Sequence, residues 1–317
     1  MTATASYRLP MILDEVEVVA VQRLSPSYVR VELGGPALAD FGVDGPLLDQ
    51  RIKLVIPGAD GRLPSFRDAD ESWYATWLGL PVEERGHLRT YTIRDVRGSG
   101  AATRLVVDFV VHPEPGATGP GSSWASRAEV GDRLVVVAPR RGEPFGGIEF
   151  APGDARVLLL AADETAVPAV CSILEDLPAD TVGAAFLEVP LGGDVQRPRH
   201  PAGVDVVWLP REGAALGQRL RAAVLTHLGA GAEPVPDLPA DEVGTDLWET
   251  PTHSSSGQEV GVGRVPCRPG LDGLYAWIAG ESGVVTALRR ALVGELGMDR
   301  RQVAFMGYWR RGVAMGP

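Results

Sequence analysis

The hydrophobic positions of this chain keep two different rhythms. In the first half they recur at every second residue. Residues 51–56 place Ile52, Leu54 and Ile56 on one face. Residues 104–112 place Leu105, Val107, Phe109 and Val111 on one face and Val106, Asp108, Val110 and His112 on the other. That period predicts half-buried strands. Further strands are expected at 15–24, 28–34, 89–97 and 133–139, separated by Gly- and Pro-rich turns, and only 70–86 hints at a short helix. Such a succession predicts a small antiparallel barrel.

From about residue 155 strands alternate with helical stripes. VLLLAADE at 157–164 precedes a stripe of Val167, Val170, Leu174 and Leu177. The strands AAFLEVP and VDVVWLP follow, then a helix carrying Leu216, Leu220, Val224 and Leu228. After a break come YAWIAGE, a helix with Val285, Leu288, Leu292 and Leu296 closed by Gly297, and the final strand VAFMGYW. This order predicts a parallel sheet covered on both faces. The expected domains are therefore a barrel at 1–150 and an α/β domain at 151–317, with a Pro/Gly/Ser-rich loop near 230–270.

Composition narrows the functions. A net charge of −11 argues against general nucleic-acid binding and against binding to a membrane surface. Any basic site must be local, and Lys53 is the one lysine in the chain. Cys171 and Cys267 form no metal or redox motif, and two thiolates cannot hold an iron–sulfur cluster that needs four. No run is long enough to span a bilayer, and the first residues lack a signal-peptide pattern, so a cytoplasmic location is expected.

The candidate chemistry begins at RTYTIR, residues 89–94. On a strand, Arg89, Tyr91 and Ile93 share one face and Thr90, Thr92 and Arg94 the other. Arginine grips phosphate in a bidentate fashion, and a tyrosine ring offers a flat apolar surface. Arg-x-Tyr-Thr thus suits a flavin dinucleotide, although an exposed polar strand with one packed tyrosine has the same local pattern.

Other segments extend the match: VDFVVH at 107–112, GPGSSWA at 119–125, GDRLVVVAPR at 131–140, LLLAADETAVPA at 158–169, YAWIAGES at 275–282 and GYWRRG at 307–312. In this order and spacing the chain resembles, over nearly its whole length, the siderophore-interacting, FAD-dependent ferric reductases, relatives of the ferredoxin–NADP reductases. The resemblance implies a ferredoxin reductase-like fold, with a Greek-key FAD-binding barrel followed by a parallel-sheet NAD(P)-binding domain. It assigns Arg89, Tyr91, Thr92, Asp108, Val110, His112, Ser122, Ser123, Trp124 and Ala125 to FAD. Two departures stand out: Gly121 replaces the family's usual alanine, and the link 112–118 is longer and richer in proline than is usual.

The second domain has no G-x-G-x-x-G. Its first turn reads Asp163, Glu164, Thr165 and Ala166, where two carboxylates would repel a pyrophosphate unless they bind ribose hydroxyls or stand beside the nicotinamide. The same residues also suit a helix start. The siderophore-interacting family has this acidic turn too. The resemblance assigns these four, together with Gly280, Glu281, Ser282, Tyr308 and Trp309, to NADPH or NADH. Arg197, Arg199 and Arg211 are candidates for a ribose phosphate. The implied substrate is a ferric siderophore, met by Lys53, Arg140 and Arg310. No side-chain nucleophile is required, because the cofactor carries the redox chemistry. The expected protein is a monomeric NAD(P)H-dependent ferric-siderophore reductase. Its rivals are a flavoprotein serving another acceptor and a binding protein without turnover.

Overall fold

The computed structural model describes residues 8–58, 60–112, 119–231, 248–251 and 271–313. The chain divides into two compact units, Met1–Gly147 and Ile148–Gly316.

The first unit is an antiparallel sheet built from β1 (Met11–Ser25), β2 (Tyr28–Gly34), β3 (Arg51–Ile56), β4 (His87–Thr92), β5 (Asp95–Arg97), β6 (Arg104–Val110) and β7 (Arg133–Pro139), in the order β4-β3-β7-β1-β2-β6-β5. The strand expected at 89–97 is two strands, because the chain changes partner within it. Residues 87–92 pair with β3, Ile93 still donates its N–H to the Gln50 carbonyl, and from Arg94 onward the backbone bonds to β6, with Arg94 N 2.8 Å from the Val106 oxygen. That switch brings the two ends of the sheet together and makes it a barrel.

The predicted alternation sorts the side chains. Ile52, Leu54, Ile56, Leu105, Val107 and Phe109 lie in the barrel interior. On the outside, Val55, Leu88 and Val135 are covered by Trp77 of α1 (Trp73–Leu78), whose indole N–H bonds the Arg85 carbonyl at the end of α2 (Val82–Arg85). The single helical hint at 70–86 is therefore two short helices. The helix α3 (Pro120–Ala125) inserts Trp124 and Ala125 into the interior.

The second unit holds β8 (Val157–Ala162), α4 (Val167–Asp176), β9 (Val182–Val189), β10 (Gly203–Pro210), α5 (Gln218–His227), β11 (Trp248–Glu249), β12 (Leu274–Glu281), α6 (Ser282–Arg289) and β13 (Val303–Trp309). The sheet order is β10-β9-β8-β12-β13-β11; the first five strands run parallel and β11 antiparallel. Leu220 and Val224 of α5 and Val285 and Leu288 of α6 pack on one face, over Leu159, Phe186 and Ile278. The stripe that predicted one helix to Leu296 is real, but its end from Arg290 is wound as a π-helix, with Leu296 N bonded to the Ala291 oxygen before Gly297.

Most of the predicted 230–270 loop lies outside the described residues, as does Cys267. Its described part was missed by periodicity, because two residues cannot show a period. Trp248 stacks on Tyr308 at 6.0 Å, and Glu249 bonds Arg289 at 2.7 Å. No helix among the described residues is long and apolar enough to cross a membrane.

Phe109 is fully buried and touches both β4 and α3 through ring contacts. Phe109→Ala is expected to lower unfolding free energy by about 3–5 kcal/mol in a denaturant titration. A loss below ~1 kcal/mol would show that the interior does not rest on this ring.

Candidate functional site

In the barrel, the β3–β4 register places Arg89 opposite Leu54 and Tyr91 opposite Ile52, so both share the interior side of the sheet. Thr92 stands opposite Arg51 on the other side, as the strand period requires. The Arg89 guanidinium is half-buried. Its Nη1 donates to the Leu88 carbonyl at 2.7 Å, and no carboxylate among the described residues pairs with it. Burial therefore works against its charge and lowers its pKa. Tyr91 lies 4.4 Å from Phe109, centroid to centroid, and Phe109 lies 5.3 Å from Trp124. Burial pushes the Tyr91 phenol well above its ordinary range.

The remaining barrel residues divide. Ser122 is buried, and its Oγ accepts the His112 N–H at 3.1 Å, which ties α3 to the end of β6. The cap of α3 is Gly119, so Ser122 and Ser123 are not its caps. The Ser123 carbonyl accepts from Ser126 Oγ. Trp124 and Ala125 are core residues, so their side chains position α3 and face away from any solvent-side ligand. Val110 shares the outward face with Asp108. Asp108 is bound in a two-pronged ion pair to Arg30, at 2.7 and 2.8 Å, and its charge is already matched within the protein. Arg30 carried no motif; only strand pairing, residue 30 opposite 108, reveals it.

Two of the three cations expected to meet the substrate differ in freedom. Lys53 is exposed on the outer face, with Nζ 3.2 Å from Thr90 Oγ1; burial of its stem and the Arg51 charge lower its pKa. Arg140 is a clamp on the protein itself: it bonds the Leu9 and Met11 carbonyls and Asp40. Arg310, in the second unit, follows β13 and forms a bridge with Val313.

In the second unit the chain leaves β8 toward β9 on one side, while β12 lies on the other, so the carboxyl ends of β8 and β12 form the switch point at which such sheets take ligands. The predicted Asp163, Gly280, Glu281, Ser282 and Trp309 do meet there. Asp163 accepts four hydrogen bonds: Thr165 N (2.8 Å), Thr165 Oγ1 (2.6 Å), Glu281 N (2.7 Å) and Trp309 Nε1 (2.9 Å). Gly280 makes room for it, since a Cβ there would lie 2.6 Å from the Asp163 Cγ, and its φ of 148° also favours glycine. The Glu281 carboxylate caps α6 through Gly283 N and Val284 N and accepts Arg311 N. Ser282 Oγ donates to the Trp309 carbonyl.

Glu164 is held by Arg211 at 2.5 and 2.8 Å, and Arg211 also reaches Glu188. Arg211 is thus a partly buried internal partner and not a free group for a ribose phosphate; Arg197 and Arg199 are exposed. Ala166 is fully buried and begins the turn into α4. Tyr308 packs between Trp248 and Trp277. The acidic turn is therefore a structural knot: its carboxylates face inward to donors, which removes the repulsion expected from the sequence.

The comparisons agree with this layout. Residues 17–143 match the model of the siderophore-interacting FAD-binding domain, and residues 155–312 match that of the siderophore-interacting protein family. An uncharacterised protein of Mycobacterium tuberculosis is 34% identical over 306 residues, covering 95% of this chain and 91% of its own length. The ferric vibriobactin reductase of Vibrio cholerae is 28% identical, covering 96% and 90%. An NADPH-dependent ferric-chelate reductase of Escherichia coli is 29% identical over 213 residues, covering 65% and 74%. Among solved structures, a siderophore utilization protein from T. fusca superposes with a TM-score of 0.65 at 30% identity, covering 97% and 96%. The ferredoxin reductase of a carbazole 1,9a-dioxygenase, at 18% identity and a TM-score of 0.54, covering 96% and 71%, shares the fold.

Burial and the charge of Glu164 push the Asp163 carboxyl up to about 7, against the pull of Thr165 and Trp309. A carboxyl raised in the folded state contributes stability that is present below its unfolded value and lost as pH rises through the folded one. The thermal midpoint of the wild type is expected to fall from about pH 5 to about pH 8 relative to Asp163→Asn, which cannot ionise. Parallel profiles for the two proteins would contradict this.

Proposed function

The chain belongs to the siderophore-interacting protein family, and from that premise we propose that it is a reductase that uses FAD and NADPH or NADH to convert a ferric siderophore to its ferrous form and so release the iron. The named activities of the Vibrio cholerae and Escherichia coli relatives support this reading. The observation that carries it is a juxtaposition on one strand of the FAD-binding barrel: a half-buried arginine with no acidic partner among the described residues, two residues from a tyrosine ring on the same face.

These residues fit FAD. Arg89 would hold a phosphate oxygen pair with its planar fork. Tyr91 would supply an apolar surface for a planar ring, with Phe109 behind it. The Ser122 and Ser123 segment, with Thr92, His112 and the backbone near Val110, would complete the polar surroundings. When bound, FAD accepts a hydride from the nicotinamide and delivers electrons singly to the iron. The residues of the chain bind and orient. At the switch point of the second unit, Gly280, Ser282 and the turn at Thr165–Ala166 would face the nicotinamide nucleotide, while Asp163 and Glu281 hold the strand ends in register. Lys53, with Arg51 on the same outward face, would supply local positive charge for an anionic chelate in an acidic protein. Arg140 is engaged by Asp40 and two backbone carbonyls and adds no free charge to that surface.

The purified protein is expected to be yellow, to be bleached anaerobically by NADPH or NADH, and to oxidise either faster when ferric chelates are added, with ferrous iron trapped by a coloured chelator. A colourless protein indifferent to added FAD defeats the proposal. Bleaching without acceleration by iron complexes assigns the electrons to another acceptor, and FAD binding without bleaching leaves a binding protein. Arg89→Ala is expected to raise the FAD dissociation constant about ten- to a hundredfold, with Arg89→Lys intermediate, in titrations of the flavin-free protein.

A further inference from the structure

Gly121 lies in the first turn of α3, a position where alanine is the better helix former. Its φ is not positive, so backbone conformation does not require glycine. Space does. A Cβ built on Gly121 would stand 1.8 Å from Tyr91 Oη and 3.0 Å from Tyr91 Cζ, while its third neighbour, Ile56 Cδ1, is at an ordinary 3.4 Å. The phenol is the crowded group, and the barrel wall is not. Tyr91 is backed on another side by Phe109, Phe109 by Trp124, and Trp124 belongs to α3 itself. Ring, strand and helix thus close on one another: α3 anchors Trp124 in the core, and the hydroxyl at the far end of the aromatic row comes to rest on the α3 backbone at Gly121.

We propose that Gly121 is a positioning residue for the flavin site: the side chain it lacks fixes where the Tyr91 ring stands, and hence the surface offered to the isoalloxazine ring. The inference rests on FAD binding in this barrel, as proposed above. Its sharpest consequence is a coupling between two positions 30 residues apart in sequence. A methyl group at 121 displaces the ring because of the hydroxyl, so removing the hydroxyl should relieve most of the displacement.

Three full-length variants test this: Gly121→Ala, Tyr91→Phe and the double variant, each freed of flavin and titrated with FAD while flavin fluorescence, the visible flavin spectrum and the thermal midpoint are followed. Gly121→Ala is expected to weaken FAD binding about tenfold or more and to shift the flavin spectrum. The double variant should bind FAD within about threefold of Tyr91→Phe alone. If Gly121→Ala fails to fold while the double variant folds, the crowding at the hydroxyl is supported as its cause. The proposal is overturned if Gly121→Ala binds FAD within about twofold of wild type, if the double variant is as impaired as Gly121→Ala, or if neither folds. A wild type that binds no FAD refutes the underlying FAD reading instead, and this separates the two failures.

Discussion

A guanidinium held half out of water loses part of its hydration, and an anion that reaches it offsets that loss. Arg89 has a backbone carbonyl and, among the described residues, no acid. The β3–β4 register fixes it on the interior side of the barrel, and the change of partner at Ile93–Arg94 fixes the strand just beyond it. The aromatic row from Tyr91 through Phe109 to Trp124 then builds a wall beside it. A pyrophosphate-bearing ligand with a flat ring answers both features at once, and the match of residues 17–143 to an FAD-binding family model agrees with that chemistry.

The second unit handles charge in the opposite way. Its acids are many, but they are enclosed. Asp163 is met by four donors from three chain segments, Glu281 by three backbone N–H groups, and Glu164 by Arg211. Each of these carboxylates does the work of a cap or a tie between strand ends. A glycine-rich turn achieves close approach by omission of side chains; this chain achieves order at the same strand ends by internal hydrogen bonds, and at Gly280 Asp163 fills the space.

The sorting of basic residues follows the same logic. Arg30, Arg211 and Arg140 are already neutralised by acids of the protein itself. The cations that remain open to a ligand are those whose neighbours are hydroxyls or carbonyls, and Arg89 and Lys53 are of that kind.

The sequence by itself determined the division into a period-two half and a helical half, the bounds of β2, β3, β7 and β13, and the family, because strand period and motif order depend on residues close together in the chain. It also named together Asp163, Gly280, Glu281, Ser282 and Trp309, which the parallel-sheet topology brings to one set of strand ends. Only the tertiary structure decided what those residues do. Asp108 is silenced by Arg30, 78 residues away, and Glu164 by Arg211, 47 residues away. The turn at Asp163 is closed by Trp309, 146 residues away. The physical reason is that hydrophobic periodicity is written in neighbours two to four positions apart, whereas the charge state and freedom of a side chain are set by groups that arrive from elsewhere in the fold.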